Sequence, residues 1–263
     1  MKPDPAPELL AQTVLALDTP QFAQHLMDWL NAGLQFDNFT IVAFIEDQAP
    51  EVFLTQATEK RVFERIGSHY ADGAYLLDPF YSLHKRGQPD GLYHLIDIAP
   101  DQFQRNEYYK SYYQRTTLVD EMAFFSTPAP GVSITACLGR DATTAHRFSN
   151  RDLRDARQAA PIANALIRKN WCSLSSVAAA TPENPAETLQ QRLSEESGIN
   201  LSPRQAEIAL LILQGHSSIS IGLTLGISPQ TVKVIRKQLY KKCQISSQGE
   251  LYYLIAPRLS QVR

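Results

Sequence analysis

The stretch LSPRQAEIALLILQGHSSISIGLTLGISPQTVKVIRKQLYKKC, residues Leu201–Cys243, carries six basic side chains against one acid, Glu207. The chain as a whole has 263 residues and a net charge of −2. From Leu201 onward there are eight Lys and Arg against two acids, a balance of +6, which leaves 17 basic and 25 acidic residues, or −8, before it. Positive charge gathered into a short part of an acidic chain points to a polyanion as the partner of that part.

The order of residue types in this stretch predicts three helices. Ser202 precedes Pro203, a favourable first helical residue, and Ala206, Leu210, Leu211 and Leu213 then fall near one face until Gly215 stops the helix. Ser217 or Ser218 caps a second helix, in which Ile221 and Leu225 lie four apart and Gly226 supplies a tight turn to Ile227. Ser228 caps a third with Pro229 at its first position; Val232, Ile235, Leu239 and Cys243 face inward, while Lys233, Arg236, Lys237, Lys241 and Lys242 stay outside. Two short helices joined by a glycine turn, the second basic on its outer side, make a helix-turn-helix whose second helix enters the major groove of double-stranded DNA.

Lys233 and Lys237 are one turn apart, so both can donate to guanine O6 and N7 in one stretch of groove. Gln230, Thr231 and Val234 complete the candidate reading face. Arg236, Lys241 and Lys242 are expected on phosphates, together with backbone amides at the Ser217 and Ser228 helix starts.

At Leu201, Arg204, Glu207, Gly215, Ser217, Ile221, Leu225, Ile227, Ser228, Thr231, Val232, Lys233 and Lys242 the stretch resembles the LuxR-type helix-turn-helix. The resemblance covers about sixty residues. It departs where the family usually has an acid (Gln205), an Asn-Lys-Glu run (Ser218, Ile219, Ser220), Ala (Gly222) and His (Ile235). It implies a DNA-binding transcriptional regulator, an activator, that works as a homodimer and can touch RNA polymerase. Such domains commonly dimerise through their last helix, here about Gln248 to Leu259, where Leu251, Leu254 and Ile255 give an apolar stripe.

Length alone permits two domains. Ser173–Thr188, rich in Ser, Ala and Pro, reads as the start of a linker, and "LQQRLSEESGI" after it as a short helix ended by Gly198. The expected organisation is a sensor domain over 1–172, a linker over 173–198 and a helix-turn-helix domain over 199–263. The first residues, with three prolines among them, read as a frayed start without a secretory signal.

The N-terminal part reads as α/β (α+β), a central antiparallel sheet flanked by helices. Phe39–Ile45 and Val132–Leu138 are β-branched runs, and "EMAFFST" before "PAPG" completes a hairpin. "DTPQFAQHLMDWLNAG" is a helix capped by Asp18 or Thr19, and Ser149 with Asp152 opens another at capping-box spacing, with a kink expected at Pro161. This arrangement resembles PAS- and GAF-type sensor modules. In acyl-homoserine-lactone receptors an Asp-Pro at a point comparable to Asp78-Pro79 binds the ligand amide, and an aromatic at about the separation of Tyr93 lines the pocket. The tryptophans of this chain lie elsewhere, at 29 and 171, so a small effector other than an acyl-homoserine lactone is expected, with Asp78, Tyr70, Tyr75, Tyr81 and Tyr93 as its contacts. The alternative is an N-terminal domain that responds to a protein partner or only dimerises.

Catalysis is not indicated. There is no G-x-S-x-G, no Gly-rich phosphate loop and no H-E-x-x-H, and the six histidines have no ligand spacing. Cys137, Cys172 and Cys243 are far apart without C-x-x-C pairing and read as buried small hydrophobes. No cofactor, metal or membrane span is expected, and the location is read as cytoplasmic.

Overall fold

The computed structural model describes residues 5–174 and 184–259. In chain order the elements are helices α1 (Ala6–Leu15) and α2 (Phe22–Gly33), strands β1 (Asn38–Ile45) and β2 (Glu51–Ala57), helix α3 (Pro79–Lys85), strand β3 (Gly91–His94), and helices α4 (Leu95–Ile98) and α5 (Glu107–Ser111). Strands β4 (Asp120–Ala129) and β5 (Val132–Arg140) follow, then α6 (Asn150–Asn170), α7 (Pro185–Ser197), α8 (Pro203–Gln214), α9 (Ser218–Leu225), α10 (Pro229–Cys243) and α11 (Gln248–Leu259). They pack as two compact units. The first holds the described residues up to Glu64, then Leu83–Ile98 and those from Thr117 to residue 174; the second holds Arg65–Ser82, Ala99–Thr116 and the residues from 184 onward.

The first unit is built on a five-stranded antiparallel sheet in the order β2-β1-β5-β4-β3. Strand periodicity puts alternate residues on one face: Phe39, Ile41, Ala43 and Ile45 of β1, Met122 and Phe124 of β4, and Val132, Ile134, Ala136 and Leu138 of β5 share one core. Helical spacing brings Phe22, Leu26, Trp29 and Leu30 of α2, and Leu153, Ala156, Ala160, Ala163 and Ile167 of α6, into the same core. The β4–β5 hairpin turns at Gly131, whose φ of +70° and lack of a side chain both matter, because a Cβ there would lie 2.0 Å from Glu46 Oε1.

Helix α6 opens with the full capping box, Ser149 Oγ accepting from Asp152 N at 3.2 Å and Asp152 Oδ2 from Ser149 N at 2.7 Å, and it continues through Pro161 to Asn170. Three expectations change. Residues 6–15 are helix rather than a frayed start, β2 and β3 are strands that the apolar pattern did not show, and α2 begins at Phe22 instead of beside Pro20. Thr19 does not cap α2: its hydroxyl donates to Ala16 O at 2.7 Å and accepts from Gln21 N at 3.3 Å, because it serves the turn that joins α1 to α2. Cys137 and Cys243 are buried, but Cys172 lies after the end of α6 and is exposed.

The second unit gathers α7–α11 with two stretches of the N-terminal part. Within the span expected as linker, Asn184 Oδ1 accepts from Ala186 N at 3.0 Å to start α7, Leu189 and Leu193 are buried, and Gly198 ends it at φ +66°. Arg65–Ser82 contributes two short turns of helix, Ile66–Tyr70 and Ala74–Leu77, and Ala99–Thr116 contributes α5 and its flanking turns. Sequence order placed these stretches with the sheet; they instead cluster with the C-terminal helices, and their aromatic rings pack on one another.

Candidate nucleic-acid interface

Each of α8, α9 and α10 starts where a serine ends an extended step. Ser202, Ser217 and Ser228 accept from Gln205 N (3.2 Å), Ser220 N (3.2 Å) and Thr231 N (3.0 Å), each satisfying one orphan amide of the first turn. Gly215 (φ +99°) and Gly226 (φ +66°) end α8 and α9 in the left-handed conformation. The turn of the helix-turn-helix folds closely onto α9 at Gly222, where a Cβ would sit 2.7 Å from Ile227 O. Arg204 holds the pair against α8: it ion-pairs with Glu207 Oε2 at 2.8 Å and donates to Leu225 O at 3.2 Å, one of the orphan carbonyls of α9. Arg204 and Glu207 carry the resemblance at this point, and here they are architectural.

Along α10 Val232, Leu239 and Cys243 are buried and Ile235 half-buried, so the opposite side presents Gln230, Thr231, Lys233, Val234, Lys237 and Lys241 to solvent. The candidate reading face is therefore one continuous strip. Two expected phosphate contacts are arranged otherwise. Arg236 is half-buried, with its guanidinium 5.2 Å from the Tyr240 ring and its Nε donating to Tyr240 Oη at 3.2 Å, an i,i+4 pairing along the helix. Lys242 donates to Asn200 O and, at 3.2 Å, to Gln205 Oε1, so it ties the end of α10 to the start of α8. Helical periodicity put both outside the core, but it does not show what an outward side chain can reach.

The Ser217 amide also has a protein partner. Asp101 Oδ1 accepts from Ser217 N at 2.9 Å. Burial acts to raise the Asp101 pKa, but the hydrogen bonds from Ser217 outweigh it and hold the carboxyl below its ordinary value. Next to it Gln102 N donates to Gly215 O at 2.8 Å, and Asn106 Nδ2 donates to Leu213 O at 3.0 Å while its Oδ1 caps α5 by accepting from Tyr109 N at 2.7 Å. The Phe103 backbone lies so close to Gly215 that a Cβ there would be 2.8 Å from Phe103 Cα. The α8–α9 turn is thus a seat for residues 101–106. Of this seat only the Asn106 cap leaves a trace in sequence, as an Asn directly before a short helix and three residues ahead of the amide it caps.

In the same unit Asp78 is buried, and both its oxygens are engaged, accepting from Tyr70 Oη at 2.7 Å and from Phe80 N at 2.8 Å. Burial pushes its pKa up to about 6 against those two hydrogen bonds. Tyr75 and Tyr81 meet edge to face at 4.9 Å, Tyr70 stacks on Tyr112 at 5.9 Å and Tyr108 on Tyr112 at 5.5 Å. Asp78, Tyr70, Tyr75 and Tyr81 are brought together; Tyr93 is on β3 of the first unit, its hydroxyl donating to Pro89 O at 2.8 Å. A cavity of about 470 Å³ in the first unit lies elsewhere again, lined by residues of α6 including Arg157, Asn164 and Arg168 and by Asp90–Leu92.

The expected dimer stripe on α11 is mostly internal. Leu251 and Ile255 are fully buried in the second unit, where α11 packs on α7, α8, α5 and Ala74–Leu77, and Leu254 is half-buried. Ser111 and Tyr252 meet through their hydroxyls at 2.6 Å, and Tyr253 is the exposed apolar residue of this helix. The stripe is an amphipathic face that the chain itself uses.

Among the described residues no helix is long and apolar enough to cross a membrane. Residues 199–255 match the family described as bacterial regulatory proteins, luxR family. Over 187 residues, 69% of this chain and 94% of the relative, the sequence is 28% identical to an HTH-type transcriptional regulator in the exeN 3' region of Aeromonas salmonicida. The fold is similar to the VqsR LBD domain from Pseudomonas aeruginosa, with a TM-score of 0.53 and 28% identity over 62% of this chain and 94% of that one. Escherichia coli SdiA aligns over 97% of this chain and 98% of its own, at 15% identity and a TM-score of 0.42.

Proposed function

We propose that this chain, whose residues 199–255 match the luxR family of bacterial regulatory proteins, is a transcriptional regulator that reads duplex DNA through α10 under the control of a small-molecule effector. The observation that carries the DNA reading is the exposed strip of Gln230, Thr231, Lys233, Val234 and Lys237 on a helix whose other side is buried. Lys233 and Lys237 read bases, Val234 lies between them on the groove side, and Lys241 with the Ser228 helix start holds phosphates. Two copies bind two half-sites in the cytoplasm, and the DNA-bound dimer activates transcription by touching RNA polymerase. The regulator class leaves catalysis no part in this function.

The effector reading is supported by the likeness to the VqsR LBD domain. Asp78, with a pKa raised to about 6 and a place among tyrosines, is the group assigned to recognise a polar function on that ligand. A second reading has its own support: Asp78 already holds two internal donors and the tyrosines pack ring on ring, which suits a domain that answers to a protein partner or only dimerises. One experiment separates them. Metabolites are screened by thermal shift on the full chain, and operator affinity is measured with and without each hit in a gel-shift series at fixed salt. A stabilising metabolite that changes operator affinity in the wild type but not in Asp78→Ala supports the effector; no stabilising metabolite supports the partner. Lys237→Ala in the same series tests the reading helix, with a loss of about tenfold on the preferred site expected.

A further inference from the structure

Residues 101–106 occupy the α8–α9 turn through three separate hydrogen bonds. The Gln102 amide and the Asn106 side chain fill the carbonyls of Gly215 and Leu213, which the end of α8 leaves without helical donors. The Asp101 carboxylate takes the Ser217 amide at the start of α9, where amide and helix dipole both favour an anion. The seat is shaped for backbone, since Gly215 meets Phe103 Cα and N where any side chain would stand. Farther along the same stretch Ser111 bonds Tyr252, and Gln214 Nε2 donates to Leu76 O at 3.0 Å, so the contact runs from the helix-turn-helix to α11.

We propose that the Asp101–Asn106 segment is an autoinhibitory latch on the helix-turn-helix: Asp101 stands at the Ser217 amide in place of a DNA phosphate, and the segment must leave that seat for full-affinity DNA binding. The inference rests on the assignment of α10 as the reading helix and adds how the neighbouring start of α9 is kept from the DNA backbone. It also gives the signal a route. Arg65–Ser82, which carries Asp78 and Tyr70, and Ala99–Thr116 pack directly on the DNA-binding helices, so a change in the aromatic cluster reaches the α8–α9 turn without passing through residues 175–183.

The test uses the full chain. Asp101→Asn removes the competing charge with little change of shape and should tighten operator binding about threefold to tenfold in low salt, the range expected for one charged hydrogen bond. Asn106→Ser, which keeps a capping oxygen for Tyr109 N but loses the donor to Leu213 O, should do the same. Hydrogen exchange on the wild type removes any dependence on mutant folding: adding operator DNA should increase exchange at residues 101–106 while it slows exchange in α10. Unchanged or slower exchange at 101–106 in the DNA complex overturns the latch, as does an operator affinity that neither substitution raises. Lys237→Ala run alongside keeps the two ideas apart. Loss of binding there with wild-type behaviour of both Asp101→Asn and Asn106→Ser removes the latch and leaves the reading helix standing.

Discussion

Lys242 Nζ donates to Gln205 Oε1 at 3.2 Å, and the same oxygen accepts from Ser202 N at 3.0 Å, so one amide joins the start of α8 to the last turn of α10. A lysine placed among the phosphate contacts by helical periodicity therefore has structural work. Lys242→Ala should lower the unfolding free energy by about 1 kcal/mol, the net worth of the hydrogen bonds removed, and change operator affinity less than Lys241→Ala does. Urea melts and gel shifts at one salt concentration read the two effects separately. An affinity loss in Lys242→Ala equal to that of Lys241→Ala would return this lysine to the phosphates.

Gln205 also invites a gain. Glutamate at this third helical position strengthens a capping box, lies favourably at a helix N-terminus, and here would face the Lys242 ammonium. Gln205→Glu should stabilise the chain by about 0.5–1 kcal/mol, and the gain should shrink in high salt, since Lys242 is exposed. A gain that does not respond to salt would assign it to the cap alone.

Asp78 sets a pH dependence. Its pKa rises from an ordinary 3.8 to about 6 on folding, so between those values the folded chain holds a proton that the unfolded chain has released. The contribution is fully present below about 4 and is lost as pH rises through 6, leaving the buried carboxylate a cost on the order of 3 kcal/mol at pH 8. The stability of Asp78→Asn relative to wild type should therefore increase from pH 4 to pH 8. Paired urea melts across that range check it, and a pH-independent gap between the two proteins would contradict the assignment.

Two glycines separate strain from contact. Gly198 and Gly215 both have positive φ, +66° and +99°, but a Cβ on Gly198 meets nothing within 4 Å whereas one on Gly215 lies 2.8 Å from Phe103 Cα. Gly198→Ala should cost about 1 kcal/mol through backbone strain alone. Gly215→Ala should cost more, about 2–3 kcal/mol, as strain and displacement of the 101–106 segment add. Equal losses in thermal denaturation would mean that the segment yields without resistance.

The amino-acid sequence by itself determined the local architecture of the C-terminal helices. Ser202, Ser217 and Ser228 before their helices, Gly215 and Gly226 after theirs, and the spacing of Val232 and Leu239 are choices that act within one or two turns of the backbone, and each is realised in the structure. The β4–β5 hairpin and the Ser149 capping box were legible for the same reason. Tertiary structure alone decided the rest. Strands β2 and β3, seven and four residues long with every residue exposed or half-buried, take their conformation from neighbours in the sheet and carry no strong pattern of their own. Burial of Leu251 and Ile255, the turn of Arg236 onto Tyr240 and of Lys242 onto Gln205, and the seating of Asp101 at Ser217 each depend on which surface meets which. Asp101 and Ser217 are 116 residues apart, and periodicity tells a residue which way to face on its own helix without saying what will be waiting there.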